Sequence, residues 1–285
     1  MPNIEKDRRF AFGKNWRGFL SSLTKENIRI AEASLQKMLM TDTLRGKTFL
    51  DIGSGSGLFS LAARNLGANV HSFDHDPLSV ACTAELRSRY HPDDPDWSIE
   101  EGSILNERFI ASLKSYDIVY AWGVLHHTGN MWAALAHSAS LVKQKGILFI
   151  AIYNDQGRIS AFWKRVKKAY CSGVLGKAMI SCIFIPCFFS IALISCVSRK
   201  ENAFRQYKWN RGMSMVHDWV DWLGGFPFEV ASVDAIFHFL HQKNFSLLNL
   251  KMTRGSGNNQ FVFVRKNSAA SAGTEGTTEA ARGAV

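Results

Sequence analysis

No CxxC pair occurs in this chain. Its five cysteines, Cys82, Cys171, Cys182, Cys187 and Cys196, are scattered, four of them in one apolar stretch. That spacing argues against a zinc site and a disulfide framework, so no metal is expected. The thiols read as reduced, small hydrophobes of a cytoplasmic protein. The first twenty residues are charged and aromatic, with no apolar core, so a cleavable signal peptide is not expected. Internal repeats are absent as well. With 46% hydrophobic and 20% charged residues the composition excludes general disorder, and 285 residues suffice for one large α/β domain with an inserted subdomain.

Acid is scarce in one region. Between Arg158 and Arg211 eleven Lys and Arg face a single acid, Glu201, an excess of 11 − 1 = +10 that equals the net charge of the whole chain. Any partner that feels this charge feels it there. Charge of either sign is missing from Ala178 to Ser198, "AMISCIFIPCFFSIALISCVS". Bilayers are crossed by ~20 apolar residues, but strands expected in one sheet lie on both sides of this segment in the chain, which excludes a single crossing. Three readings remain. Pro186 could break the stretch into a helical hairpin dipping into one leaflet. It could lie in the interface, with Lys164–Lys168 and Arg199–Arg211 on anionic headgroups. Or it is a buried lid or homodimer contact. Peripheral or monotopic contact with an anionic membrane through 158–211 is the favoured reading; nucleic acid is not expected, because phosphate binding needs no such greasy core.

Elsewhere apolar runs alternate with helical patterns. A helix is expected over Thr24–Met40, from Ile28, Ala31, Leu35, Met38 and Leu39 at helical spacing. Strands are read at Thr48–Ile52, Asn69–Phe73, "WSIEEG", "YDIVYAW" and "GILFIAIY", with helices between them, one opened by Pro77. After a helical "SVDAIFHFLHQ", "FSLLNLKM" and "QFVFVR" read as an antiparallel edge pair. The alternation predicts a doubly wound, mostly parallel α/β sheet. The divisions expected are an N-terminal cap (1–45), a core (46–153), an inserted helical, apolar and basic lid (154–230), a return to the core (231–266) and a disordered tail (267–285).

The core opens with "FLDIGSGSGLFSLAA". Gly53, Gly55 and Gly57 sit between a strand and a helix, as in a loop for a nucleotide-type cofactor. A dinucleotide fingerprint places its third glycine three residues after the second and rests a pyrophosphate on the helix. Here the spacing is GxGxG, and Asp51 stands before it, where a carboxylate would repel phosphates but suit an ammonium. Asp74 ends the second strand, where an acid holds ribose hydroxyls.

These residues resemble the class I S-adenosylmethionine (SAM)-dependent methyltransferases over about Thr48–Tyr153, with "LDIGSGSG" as the most specific element. "AWGVLHHTGNMWAAL" is similar to the branch of ubiquinone and menaquinone methylases. The resemblance implies a Rossmann-like seven-stranded sheet in the order 3-2-1-4-5-7-6 with the last strand antiparallel, and SAM as cofactor. It implies Asp51, Gly53, Ser54, Gly55 and Gly57 around the methionine part, Asp74 on the ribose, Gly102, Ser103 and Ile104 at the adenine edge, and Trp122 beside them. A small or lipid-linked acceptor, a quinone-like ring or a glycolipid or sugar hydroxyl, is expected to be methylated at oxygen; the alternatives are N- or C-methylation of another small metabolite, or a SAM-binding protein without catalysis. His126 and His127, a few residues beyond the fourth strand, are the candidate bases, since a hydroxyl acceptor must lose a proton and histidine titrates in range. Asn15, Trp16, Tyr153, Asn154, His217 and Trp222 are the expected acceptor-pocket walls.

Overall fold

The computed structural model describes residues 12–199 and 215–267. The first eleven residues, the cations from Lys200 to Arg211 and the expected tail beyond 267 lie outside the described residues.

A seven-stranded sheet forms the centre, in the order β3-β2-β1-β4-β5-β7-β6. β1 (Thr48–Ile52), β2 (Asn69–Asp74), β3 (Trp97–Glu101), β4 (Tyr116–Trp122) and β5 (Val142–Tyr153) run parallel. β7 (Asn258–Arg265) enters antiparallel beside β5, pairing Ile150 with Phe261, and β6 (Phe245–Lys251) closes the edge against β7. Both the strand order and the antiparallel insertion are those the resemblance implied.

Both faces of this sheet are covered, which is why the strands read as near-continuous apolar runs. Successive residues of β1 serve opposite layers. Leu50 and Ile52 join Val119, Leu148 and Ile150 under α6 (Met131–Ser140) and α10 (Val233–His241), while Phe49 joins Ile118, Tyr120 and Phe149 under α2 (Lys25–Leu39), α3 (Leu58–Asn65) and α4 (Pro77–Tyr90). Helix starts follow the local chemistry. Thr24 and Asn27 form a reciprocal capping box on α2, and Asp76 caps α4 with Pro77 in its first turn.

Three local features depart from the sequence reading. α5 (Glu107–Ser112) is a six-residue helix, too short to show a period. β5 begins at Val142, four residues before Gly146, and a register shift against β4 absorbs the extra length. Pro186 does not split the apolar stretch: α8 (Val174–Arg199) is one continuous helix. Proline removes a single backbone donor, and α8 is held on either side of it, with Ile180, Phe184, Ile185 and Phe188 packed against α7 (Arg158–Tyr170). After the undescribed stretch, α9 (Met215–Gly224) packs on both α7 and α8 and returns the chain to the sheet. α1 (Phe12–Ser22) lies across α4 and also touches α9.

Candidate cofactor and acceptor site

The site lies beyond the carboxyl ends of β1, β2 and β4, where open α/β sheets bind ligands. Gly53 and Ser54 donate their N–H groups to the Phe73 carbonyl at 2.8 and 3.2 Å, folding the loop back over β2. Gly53 has φ +69°, and a Cβ on it would stand 2.5 Å from Val124. Only glycine satisfies both the left-handed backbone and that approach.

Asp74 organises the centre of the loop. Its carboxylate accepts from the Gly55 N–H at 3.0 Å and the Asp76 N–H at 2.9 Å, and its carbonyl accepts from the Gly102 N–H at 3.0 Å. Burial raises its pKa above the ordinary carboxylate value, while those backbone donors pull the other way. Asp76 extends the brace: one oxygen caps α4 through the Leu78 N–H, and the other accepts from Gly13 at the start of α1. α1 thereby carries Trp16 over the loop, its ring in contact distance of Gly55.

Together these elements enclose a cavity of about 430 Å³, within the size range of small-molecule sites. Of the residues singled out from sequence, Trp16, Gly53, Gly55, Asp74, Gly102, Ser103, Ile104, Trp122 and His127 line it. The others stand elsewhere. Ser54 bonds Thr83 through its hydroxyl at 2.9 Å, and Gly57 caps α3 against Thr83. Asn154 holds the sheet end, donating to Gly255 and accepting from Asn259. Asn15 is half-buried on α1, off the cavity wall. The side chain of His217 lies outside the described residues.

Asp51 also departs from its expected place. It is buried beneath the loop and off the cavity, accepting from Ser60 Oγ at 2.5 Å. Because Ser60 spends its proton on Asp51, Ser72 donates to Ser60, and Trp97 Nε1 donates to Ser72. This chain of hydrogen bonds ties β1, α3, β2 and β3 together. Burial pushes the Asp51 carboxyl up to about 7, and the Asp74 charge adds to the rise. An unfolded aspartate ionises near 4, so between about pH 4 and 7 the folded state holds a proton that the unfolded state has lost, and stability falls as pH rises. Asp51→Asn keeps an acceptor for Ser60 without the charge. The variant is expected to be more stable than the parent at pH 7.5, by up to about 4 kcal/mol, with the gain vanishing toward pH 4. Urea unfolding of the ligand-free pair at both pH values checks this.

The opposite wall comes from the turn Leu125–His127 after β4. His126 is fully buried, its ring centroid 4.1 Å from that of Tyr153 at a tilt and 4.4 Å from that of His127 edge to face, and burial drives its pKa well below the usual value. His127 reaches the cavity. Its Nδ1 lies 2.7 Å from the Pro227 carbonyl, and a carbonyl oxygen only accepts. The neutral ring therefore carries its proton on Nδ1 and its lone pair on Nε2. Burial lowers the His127 pKa to about 3, and the nearby Lys167 charge adds to the fall.

Lys167 was legible only as one charge of a basic run. Its ammonium is buried, 4.0 Å from the Trp222 ring centroid and 4.9 Å from that of Phe228, and donates to the Trp222 carbonyl. Helical spacing could have found it, since Trp163, Val166 and Tyr170 define an inward stripe that includes 167. Behind His127 the rings form a continuous series of edge-to-face contacts: Tyr153 at 5.5 Å, Trp222 at 5.6 Å from Tyr153, and Trp163 at 5.5 Å from Trp222. Tyr153 and Trp222 thus back the wall without lining it. Asp76, Phe226 and Pro227 are cavity residues that the sequence reading did not name. For Asp76 the signal was its position immediately before Pro77.

Comparison with known proteins identifies the family. A family described as a methyltransferase domain matches residues 23–177. The chain is 31% identical over 141 residues to a ubiquinone biosynthesis O-methyltransferase of Glaesserella parasuis serovar 5, covering 48% of this chain and 53% of that protein. It is 32% identical over 111 residues to the protein of that name from Rhodopseudomonas palustris (strain TIE-1), covering 39% and 42%. The chain therefore spans about half the length of the curated relatives it matches. Among solved structures, magnesium protoporphyrin IX methyltransferase from Synechocystis PCC 6803 with bound SAH shares the fold, with a TM-score of 0.52 at 15% identity over 84% of this chain and 83% of that one. The match over more than half of the chain, on this sheet order and glycine loop, places the protein in the class I SAM-dependent methyltransferase family.

Proposed function

We propose that the protein transfers the methyl group of SAM to a hydroxyl on a small, lipophilic, ring-containing acceptor. The observation that carries this reading is one cavity with the Asp74–glycine cradle on one wall and His127 on another. The cradle fits the cofactor. The left-handed Gly53 and Gly55 leave room where any side chain would intrude, and Asp74 offers a carboxylate to ribose hydroxyls. Gly102 completes it, because a Cβ there would stand 2.2 Å from the Phe109 ring. Asp51, under the loop, contributes through the loop's anchorage.

When bound, SAM supplies an activated methyl group. The chain's residues align the acceptor, which is worth ~7–11 kcal/mol at best, and Nε2 of His127 receives the hydroxyl proton. A neutral ring at physiological pH is the state able to do so. The apolar and aromatic lining of Trp16, Trp122, Phe226 and Pro227 supports a flat apolar acceptor, and the resemblance to ubiquinone O-methyltransferases supports oxygen as the methylated atom. The acceptor panel for a test is therefore substituted catechols and hydroquinones with and without prenyl tails, set against amines. With SAM carrying a labelled methyl group, label is expected in a solvent-extractable methyl ether. Label on amines alone would overturn the oxygen assignment.

A further inference from the structure

Between Ala178 and Ile194 α8 carries no charge on any side, yet the structure leaves most of this stretch uncovered. A helix on a protein surface ordinarily carries one apolar stripe and a polar remainder, and a helix apolar all round is buried. The inner side of α8 obeys this: Ile180 and Ala192 are buried, and the Phe188 ring meets Trp163 and Trp219 of the neighbouring helices at a tilt. Its outer side does not. Leu175, Met179, Ile183, Ile191, Leu193 and Ile194 are exposed, and only 11% of the apolar stretch Val174–Ile194 is buried. α7 adds Ile159 and Phe162, each about half exposed. Apolar surface on this scale marks an interaction site.

Charge decides what covers it. Arg158, Lys164, Arg165 and Lys168 are exposed along α7, and Lys177 along the first turns of α8. No acid occurs between Asp155 and Glu201. A second copy docking here would bring two such cationic rims together. Anionic headgroups turn the same charges into attraction, and acyl chains accept the apolar face.

We propose that the α7–α8 hairpin seats the protein on an anionic lipid bilayer, with α8 sunk lengthwise into the boundary between headgroups and acyl chains. The orientation follows from packing. α8 lies along α7 and α9, and strands β5 and β7, on either side of it in the chain, pair with each other, so the helix enters sideways and does not cross. The inference stands on surface composition and is independent of the acceptor's identity.

Flotation of the full-length protein with vesicles tests it, using phosphatidylcholine alone and phosphatidylcholine with added phosphatidylglycerol. The protein is expected to rise with the anionic vesicles, and less as salt increases. Replacing Lys164, Arg165 and Lys168 by glutamine lowers partitioning at least ~10-fold. The pair Ile183→Asp and Ile191→Asp abolishes it, with SAM binding retained as the check on folding. Should those aspartates prevent folding, the glutamine variant still reads out. A protein that stays at the bottom of both gradients overturns the proposal. So does flotation that ignores lipid charge, and so does a stable dimer that Ile183→Asp dissociates while vesicles are ignored.

Discussion

Asp74→Ala is expected to lower SAM affinity by about 10²–10⁴-fold. Two contributions combine. A carboxylate holding both ribose hydroxyls makes two charge-assisted hydrogen bonds, each worth about 1.5–3 kcal/mol. The same carboxylate fixes the Gly55 N–H and the Asp76 N–H, so its removal also frees the loop and the start of α4 from β2. Asp74→Asn separates the two. Its amide oxygen can accept one backbone bond, but the charge is gone and one acceptor has become a donor. It is expected to fall between parent and alanine. Calorimetric titration with SAM and with S-adenosylhomocysteine measures both variants. An unchanged affinity in Asp74→Ala would detach the cavity from the cofactor altogether.

This residue was legible from sequence because strand-end position is a local property. An acid at the last residue of the second strand points beyond the sheet whatever the rest of the fold does. The same holds for the glycine loop, and alternation of strand and helix was enough to predict a doubly wound sheet. The insertion of β7 between β5 and β6 came through family resemblance. Asp51 was harder. Its neighbour in sequence is the loop, but its partners Ser60 and Ser72 come from α3 and β2, and alternation along β1 turns it beneath the loop and away from the cavity. Choosing between His126 and His127 was beyond sequence too. Adjacent residues in a tight turn point apart, and which one meets the cavity depends on Pro227, a hundred positions later, whose carbonyl fixes the His127 ring. Lys167 was misread for a related reason: a run of cations suggests a solvated face, and only the stripe of Trp163, Val166 and Tyr170 shows that one of them turns inward. Long-range contacts, rather than local propensity, carried what the sequence did not show.

His127→Ala is expected to reduce turnover by about 10²-fold, the lower end of the worth of a positioned base, because a ring with a pKa of about 3 takes up a proton weakly; SAM affinity should change by less than about twofold because the loss falls on the acceptor side of the cavity. His126→Ala should behave differently. Its ring is buried against Tyr153, so the first consequence is a lower melting temperature, as for any large-to-small change in a packed interior. The pH profile then distinguishes a base from a wall. A His127 pKa near 3 means the ring stays neutral well below the ordinary histidine range, so kcat should not fall as pH drops through 6.5, and the acidic limb should begin nearer pH 4. Lys167 helps to hold that value down, through its charge. Lys167→Met keeps an apolar stem under Trp222 but removes the cation, so the acidic limb should move upward in pH, toward the ordinary histidine value. If Lys167→Met lowers activity uniformly at every pH, the lysine only supports the wall. If the limb shifts, the insertion that carries the basic surface also sets the protonation state of His127, the proposed base.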